Sequence, residues 1–224
     1  LLHPNLTRTF LTVFQCVDIT EDETRVRIDL EMVCYSNDHL MWCLMIGVPT
    51  LLFWSFGIPF TGFFLLFKNK ENLEDEEVKQ YYLMLYQGLK KNRFYWEFVN
   101  TARKVLILSL NVFLSTYSLS YRLMSNVILL TIFFRVQTFL QPYKYNLNNK
   151  LERKELIAGL LTMFGGTLFI EEEEVALINL IVFFLVIFVN IYFLIYWIYG
   201  VLLTLKNKHK SIYHVASLLS MLLC

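Results

Sequence analysis

Four charged side chains stand inside stretches that are otherwise apolar: Glu97, Arg103, Lys104 and Arg135. Inside a bilayer such a group is costly, so it snorkels to the interface, pairs with a partner, or lines a path for ions. The stretch "RFYWEFVNTARKVLILSL", residues 93–110, holds three of the four. Glu97 and Lys104 are seven positions apart and share a helix face, with Thr101 between them. Phe94, Tyr95 and Trp96 suit an interfacial belt. Arg103 and Lys104 then lie about two turns deeper, at ~1.5 Å per residue. Arg135 comes seven residues before Pro142, which places it at the depth of Glu97 to Thr101 on an antiparallel neighbour. Three uses stay open at this point. The charges snorkel independently, Glu97 and Arg135 clamp two helices together, or the cluster is a transported-ion or gating site.

The elements that must carry these charges are apolar. Of 224 residues, 56% are hydrophobic and 17% aromatic, and the mean hydropathy is +0.49. A soluble domain has ~45–50% apolar residues. A helix of ~20 apolar residues crosses a hydrocarbon core of ~30 Å. Five such segments are expected: 41–67, Trp96 to Leu114, Leu123 to Leu140, Leu156 to Ile170 and Val175 to Thr204. The reading is an all-α membrane protein, a bundle of about five transmembrane helices with a short extracellular N-terminal flank. Residues 1–40 form the flank, 41–204 the membrane domain and 205–224 a cytoplasmic tail. "LLHP" reads as the end of an earlier span, and a first residue of Leu as a sign of a longer chain. Pro49 and Pro59 are expected to kink the first span.

Charge sets the orientation. Five spans put loops 68–93, 141–154 and 205–210 on one side, with six, four and three Lys or Arg, thirteen in all. The other side, 1–40, 115–122 and 171–174, has three, one and none, four in all. Basic loops stay cytoplasmic. Residues 1–40 and the acidic turn Glu171, Glu172, Glu173 and Glu174 therefore face the outside or a lumen, and 68–93, 141–154 and 205–224 the cytoplasm.

Two features suit that outer side. Cys16 and Cys34 are 18 residues apart and pair in an oxidising compartment. The alternative is two unrelated thiols. Asn5-Leu6-Thr7 matches a glycosylation acceptor. The acidic turn would concentrate cations beside an ion path, or is a solvated turn. His3, His39, His209 and His214 are too scattered for a zinc site. No nucleophile–base pattern or intramembrane acid pair appears, so no enzyme, metal or cofactor is expected. The expected partners are the lipid bilayer and other membrane subunits or copies of this chain; nucleic acid is not among them.

Three stretches carry a resemblance. "FWSFGIPFTGFFLLF" ends one span, "YYLMLYQGLKKNRFYWEFVNTARKVLIL" follows, and "TFLQPYKYNLNNKLERKEL" closes a later one. Their order resembles the C-terminal membrane region of large TRP-like, distantly polycystin-related proteins of microbial eukaryotes, over about residues 35–160. The resemblance implies motif positions at Gly57, Ile58, Pro59, Tyr95, Trp96, Glu97, Arg103, Lys104, Gln141, Pro142 and Tyr143. It implies a cysteine-rich extracellular portion upstream and a role in ion transport or sensing. One departure stands out. A TRP-type pore has a re-entrant loop between its last two spans, and here only EEEE separates them. The second reading is therefore a non-conducting membrane subunit or anchor of a larger assembly.

Overall fold

The computed structural model describes residues 2–20, 23–169 and 176–206. It forms two compact units, Leu1–Asn126 and Val127–Cys224.

In the first unit the chain opens with α1, Leu2–Thr12. Three short strands follow, β1 (Cys16–Thr20), β2 (Glu23–Val26) and β3 (Asp29–Val33), in the antiparallel order β1-β2-β3. Cys16 pairs across the sheet with Val26. Cys16, Val26 and Cys34 form the small buried core of this sheet, with Met32 packed on it. A sheet this small cannot stand on area alone, and the Cys16–Cys34 disulfide fastens it, with Cα atoms 6.1 Å apart.

Helix α2 runs from Asn37 to Lys68, 32 residues. Ser36 caps it, its hydroxyl accepting the backbone N–H of His39 at 3.3 Å. Two π-helical segments, Cys43–Gly47 and Leu52–Gly57, interrupt the α-helical run. Each stands just before a proline, Pro49 or Pro59. Proline has no N–H to give, and its ring collides with the carbonyl four residues back. A widened turn moves that carbonyl aside. The last bonds before each proline span five residues, from Val48 N to Cys43 O and from Ile58 N to Phe53 O. The expected kinks are thus absorbed as π turns.

Beyond α2, the charged loop 68–93 contains α3, Glu76–Tyr86. Leu66, Leu73 and Phe94 form a core beneath it, packed by Phe63, Tyr82 and Phe98. Tyr86 donates to the Leu73 carbonyl at 2.7 Å, and burial pushes its phenol pKa up. Then come α4, Trp96–Phe113, and α5, Leu119–Leu140, in which the border between the units falls. The second unit continues with α6, Asn146–Leu168, and α7, Ala176–Lys206.

Three described helices are long and apolar enough to cross a membrane: α2, α5 and α7. The two other expected spans, α4 and α6, do not reach that measure. Each carries its charges in its first half, Glu97, Arg103 and Lys104 in α4 and the "LERKE" run in α6. The uncharged part of α4, 105–113, measures only ~14 Å at ~1.5 Å per residue, against a core of ~30 Å.

Residues 2–12, read from sequence as part of a polar flank, are helical and lie beside α2. The His3 ring is 3.0 Å from the Trp54 carbonyl, and the Ser55 hydroxyl donates to the Thr7 hydroxyl at 3.1 Å. A Cβ on Gly47 would stand 2.9 Å from the Phe14 ring. Residue 3 therefore neighbours 54 and residue 14 neighbours 47, so α1 runs antiparallel to α2.

Candidate functional site

The four expected charges do not share one environment. Arg103 is buried, whereas Glu97 and Lys104 on the same helix are exposed. Arg135 belongs to the second unit and is also exposed. The Thr101 hydroxyl, placed by sequence between Glu97 and Lys104, donates to the Glu97 carbonyl at 2.9 Å. The acidic turn 171–174 and the tail 207–224 lie outside the described residues.

Asn5 is exposed on α1, but the Thr7 hydroxyl of its acceptor motif is fully buried against Ser55. A helix lying along an apolar span is a poor seat for a hydrophilic glycan. The two cysteines are joined as expected. Disulfides persist in oxidising compartments, so the sheet marks a non-cytosolic region.

The polar side chains that the structure does bring together fasten elements to one another. His39 is the joint between sheet and span. It is buried at the start of α2, and its Nδ1 accepts the Tyr35 N–H at 3.1 Å. A neutral ring that accepts at Nδ1 carries its hydrogen on Nε2, which donates to the Val13 carbonyl at 3.0 Å. The Cys43 sulfur is 3.3 Å from the same nitrogen. Tyr35, at φ 62°, turns the chain sharply from Cys34 into α2. One imidazole thus ties the end of α1, the turn after the disulfide and the first turns of the span.

Helices α4 and α5 meet through amides. Asn126, fully buried, donates to the Asn111 Oδ1 at 3.1 Å, and Asn111 donates to the Ile107 carbonyl at 2.8 Å. Between α2 and α4 lies an apolar groove of about 490 Å3, lined by Leu52, Phe56, Phe60, Phe98 and Val105. The two hydroxyls on its wall, Ser55 and Thr101, are already bonded to Thr7 and Glu97.

In the second unit Gln137 and Asn149 hold the turn between α5 and α6. The Gln137 amide donates to the Asn149 carbonyl at 3.0 Å. Asn149 Oδ1 accepts the Tyr143 N–H at 3.1 Å, and its Nδ2 donates to the carbonyls of Tyr143 at 2.9 Å and Tyr145 at 3.4 Å. This is the Gln141-Pro142-Tyr143 motif, with Gln141 at φ 40° and Pro142 buried.

Helices α6 and α7 join at three levels. Lys154 donates to the Tyr192 hydroxyl at 2.7 Å and lies 4.4 and 4.5 Å from the ring centres of Tyr192 and Tyr196. Asn190 donates to the Thr162 hydroxyl at 2.9 Å. At Gly165 the helices nearly touch: an added Cβ would stand 2.8 Å from Val186.

Sequence reading missed the linking roles of His39, Thr7, Ser55, Asn149 and Lys154. Only Lys154 carried a usable signal, a cation facing a run of tyrosines spaced at helical intervals. Among the described residues no cluster of His, Cys, Asp or Glu could hold a metal ion.

This chain is similar to cysteine repeat modular protein A of Toxoplasma gondii. The two are 27% identical over 192 residues. The match covers 80% of this chain and spans about 6% of the length of that relative. No family model matches, and no solved structure matches.

Proposed function

We propose that this chain is the membrane anchor of a longer modular protein, holding an extracytoplasmic portion to the bilayer through the disulfide-closed sheet. One observation carries the reading: five polar side chains of its helices are bonded to partners on neighbouring helices. Ser55 holds Thr7, Asn126 holds Asn111, Gln137 holds Asn149, Lys154 holds Tyr192 and Asn190 holds Thr162. Polar groups so engaged act as fasteners between helices; groups lining an ion path must stay available to water and ions. The relative supports the same reading. It is described as a cysteine repeat modular protein, and the shared segment is a small fraction of its length. Basic loops at 68–93 and 141–154 face the cytoplasm and the sheet faces the other side. In this reading α4 and α6 complete five spans, their charged halves packed against helices of their own unit or against partner subunits.

A second reading keeps the TRP-like resemblance: a membrane part of an ion-transport or sensing protein. The paired π turns of α2 favour it, because such turns concentrate at functional positions. One experiment separates the two. The full-length protein is reconstituted in planar bilayers, and a form lacking residues 37–206 is followed in cells. An anchor gives silent bilayers and a deleted form released from membranes. Ion currents abolished by Arg135→Gln would overturn the anchor in favour of transport.

A further inference from the structure

A small cavity of about 20 Å3 lies at the turn between α5 and α6. Gln137, Thr138, Gln141, Asn146, Lys150 and Arg153 line it. Gln137 is 1% exposed, and its Oε1 has no hydrogen-bond partner; nor does the buried Thr138 Oγ1. The Gln137 amide cannot turn over to relieve this, because its Nε2 already donates to the Asn149 carbonyl. A buried acceptor left unmade is costly. What enters the cavity must therefore donate a hydrogen bond to Gln137. Lys150 and Arg153 are exposed beside it, so an ammonium donor would meet like charge. A hydroxyl meets none, donates to Gln137 Oε1 and accepts from Thr138. A cavity of this size holds about one oxygen.

Position supplies the rest. The cavity stands where α5, apolar and long enough to cross a membrane, ends at Leu140. That is headgroup level. Below it Ile157 and Phe164, four and eleven residues after Arg153, are exposed on α6 and share the helix face of Arg153.

We propose that this site binds an anionic phospholipid whose headgroup bears hydroxyls, of the inositol or glycerol type. One hydroxyl fills the cavity between Gln137 and Thr138. The phosphate meets Lys150 and Arg153, and the acyl chains follow Ile157 and Phe164 on α6. The proposal rests on the reading that α5 crosses a bilayer.

The test uses the full-length protein in lipid nanodiscs, with retained lipids identified by native mass spectrometry. Phosphatidylinositol is expected to be retained about tenfold over phosphatidylserine, the ratio for one net hydrogen bond. Thr138→Val should lower phosphatidylinositol to the phosphatidylserine level without changing phosphatidylserine, and Thr138→Ser should restore the preference. Lys150→Gln with Arg153→Gln should bring both lipids down to phosphatidylcholine. Equal retention of phosphatidylinositol and phosphatidylserine by the unaltered protein would overturn the proposal, leaving only charge and a water in the cavity. A preference that survives Thr138→Val overturns it as well. Soluble inositol phosphate competing as well as the lipid would overturn the lipid as occupant. Release of the protein by alkaline carbonate would instead defeat the bilayer reading itself.

Discussion

A single asparagine illustrates how much of this chain hangs on side chains that do no chemistry. Asn149 satisfies three backbone groups of the turn between α5 and α6 and takes a fourth bond on its own carbonyl. Asn149→Ala should lower stability by about 1–3 kcal/mol, because part-buried backbone groups of Tyr143 lose these bonds. Asn149→Asp keeps the acceptor for the Tyr143 N–H but loses the donor, and should fall between. Thermal unfolding in detergent measures both. Tyr86 makes a different prediction. Its phenol is raised by burial, so the neutral form is favoured in the fold. Its contribution is fully present below the ordinary tyrosine value of ~10. It is lost as pH rises through the higher folded value. Phenolate absorbance should show one tyrosine ionising late, and Tyr86→Phe should remove that phase. Neither residue was legible in sequence. A hydrogen bond to a turn depends on which carbonyls the turn turns inward, and that is decided by Gln141 at φ 40° and the buried Pro142 rather than by composition.

Helices were far more legible than sites, for a physical reason: a long apolar run has few ways to satisfy its backbone in lipid. The limits of α4 and α5 fall within a few residues of those expected. Five spans were expected, whereas three described helices reach the length and apolarity to cross. Snorkelling, clamping and gating stayed open for the charges of α4, and Lys150, Arg153 and Lys154 were counted to the loop 141–154, yet these charges shorten the apolar part of each helix. The structure separates the roles of the glycines in α6. A Cβ at Gly165 would press Val186, a β-branched side chain with little freedom to move. Gly165→Ala should cost about 1–3 kcal/mol by overpacking. At Gly159 the nearest atom is Leu130 Cδ1 at 3.7 Å. Gly159→Ala should be neutral or stabilise by about 0.5–1 kcal/mol, since glycine is a poor helix former. Opposite shifts in melting temperature would check the pair; equal shifts would show that the α6–α7 seam is not tight.

For the whole molecule, the disulfide and the charge asymmetry make claims that can be tested together. Closing a loop of 18 residues limits the unfolded chain by about 3 kcal/mol in the chain-entropy picture. Cys16→Ser with Cys34→Ser should lose about that much and loosen the sheet while α4 to α7 stay helical, seen as a lower melting temperature with little change in helical circular dichroism. Cysteines introduced into the EEEE turn should react with an impermeant reagent in intact cells, and those at 145–150 only after permeabilisation. The reverse pattern would turn the anchor over in its membrane. The disulfide was readable in sequence because topology put both cysteines on one oxidising side. How the sheet is bolted to the span was not, since His39 joins three segments that are distant in sequence.

The two π turns of α2 keep the helix in phase. Buried positions His39, Cys43 and Gly47 recur every four residues. An α-helix turns ~100° per residue, so four residues overshoot a full rotation by ~40°. Over eight residues the error would grow to ~80°, enough to swing His39 away from Val13. A π turn takes in more residues per rotation and absorbs that overshoot. Each π segment therefore behaves as an inserted residue that the helix has accommodated without breaking. Deleting one residue inside the π segment, Leu44 for example, should return it to α geometry and turn everything above it by only ~20°, because seven α residues make ~700° where eight now make about two full turns. The sheet would then keep its side of the span, whereas the same deletion in an α-helical stretch would swing it by ~100°.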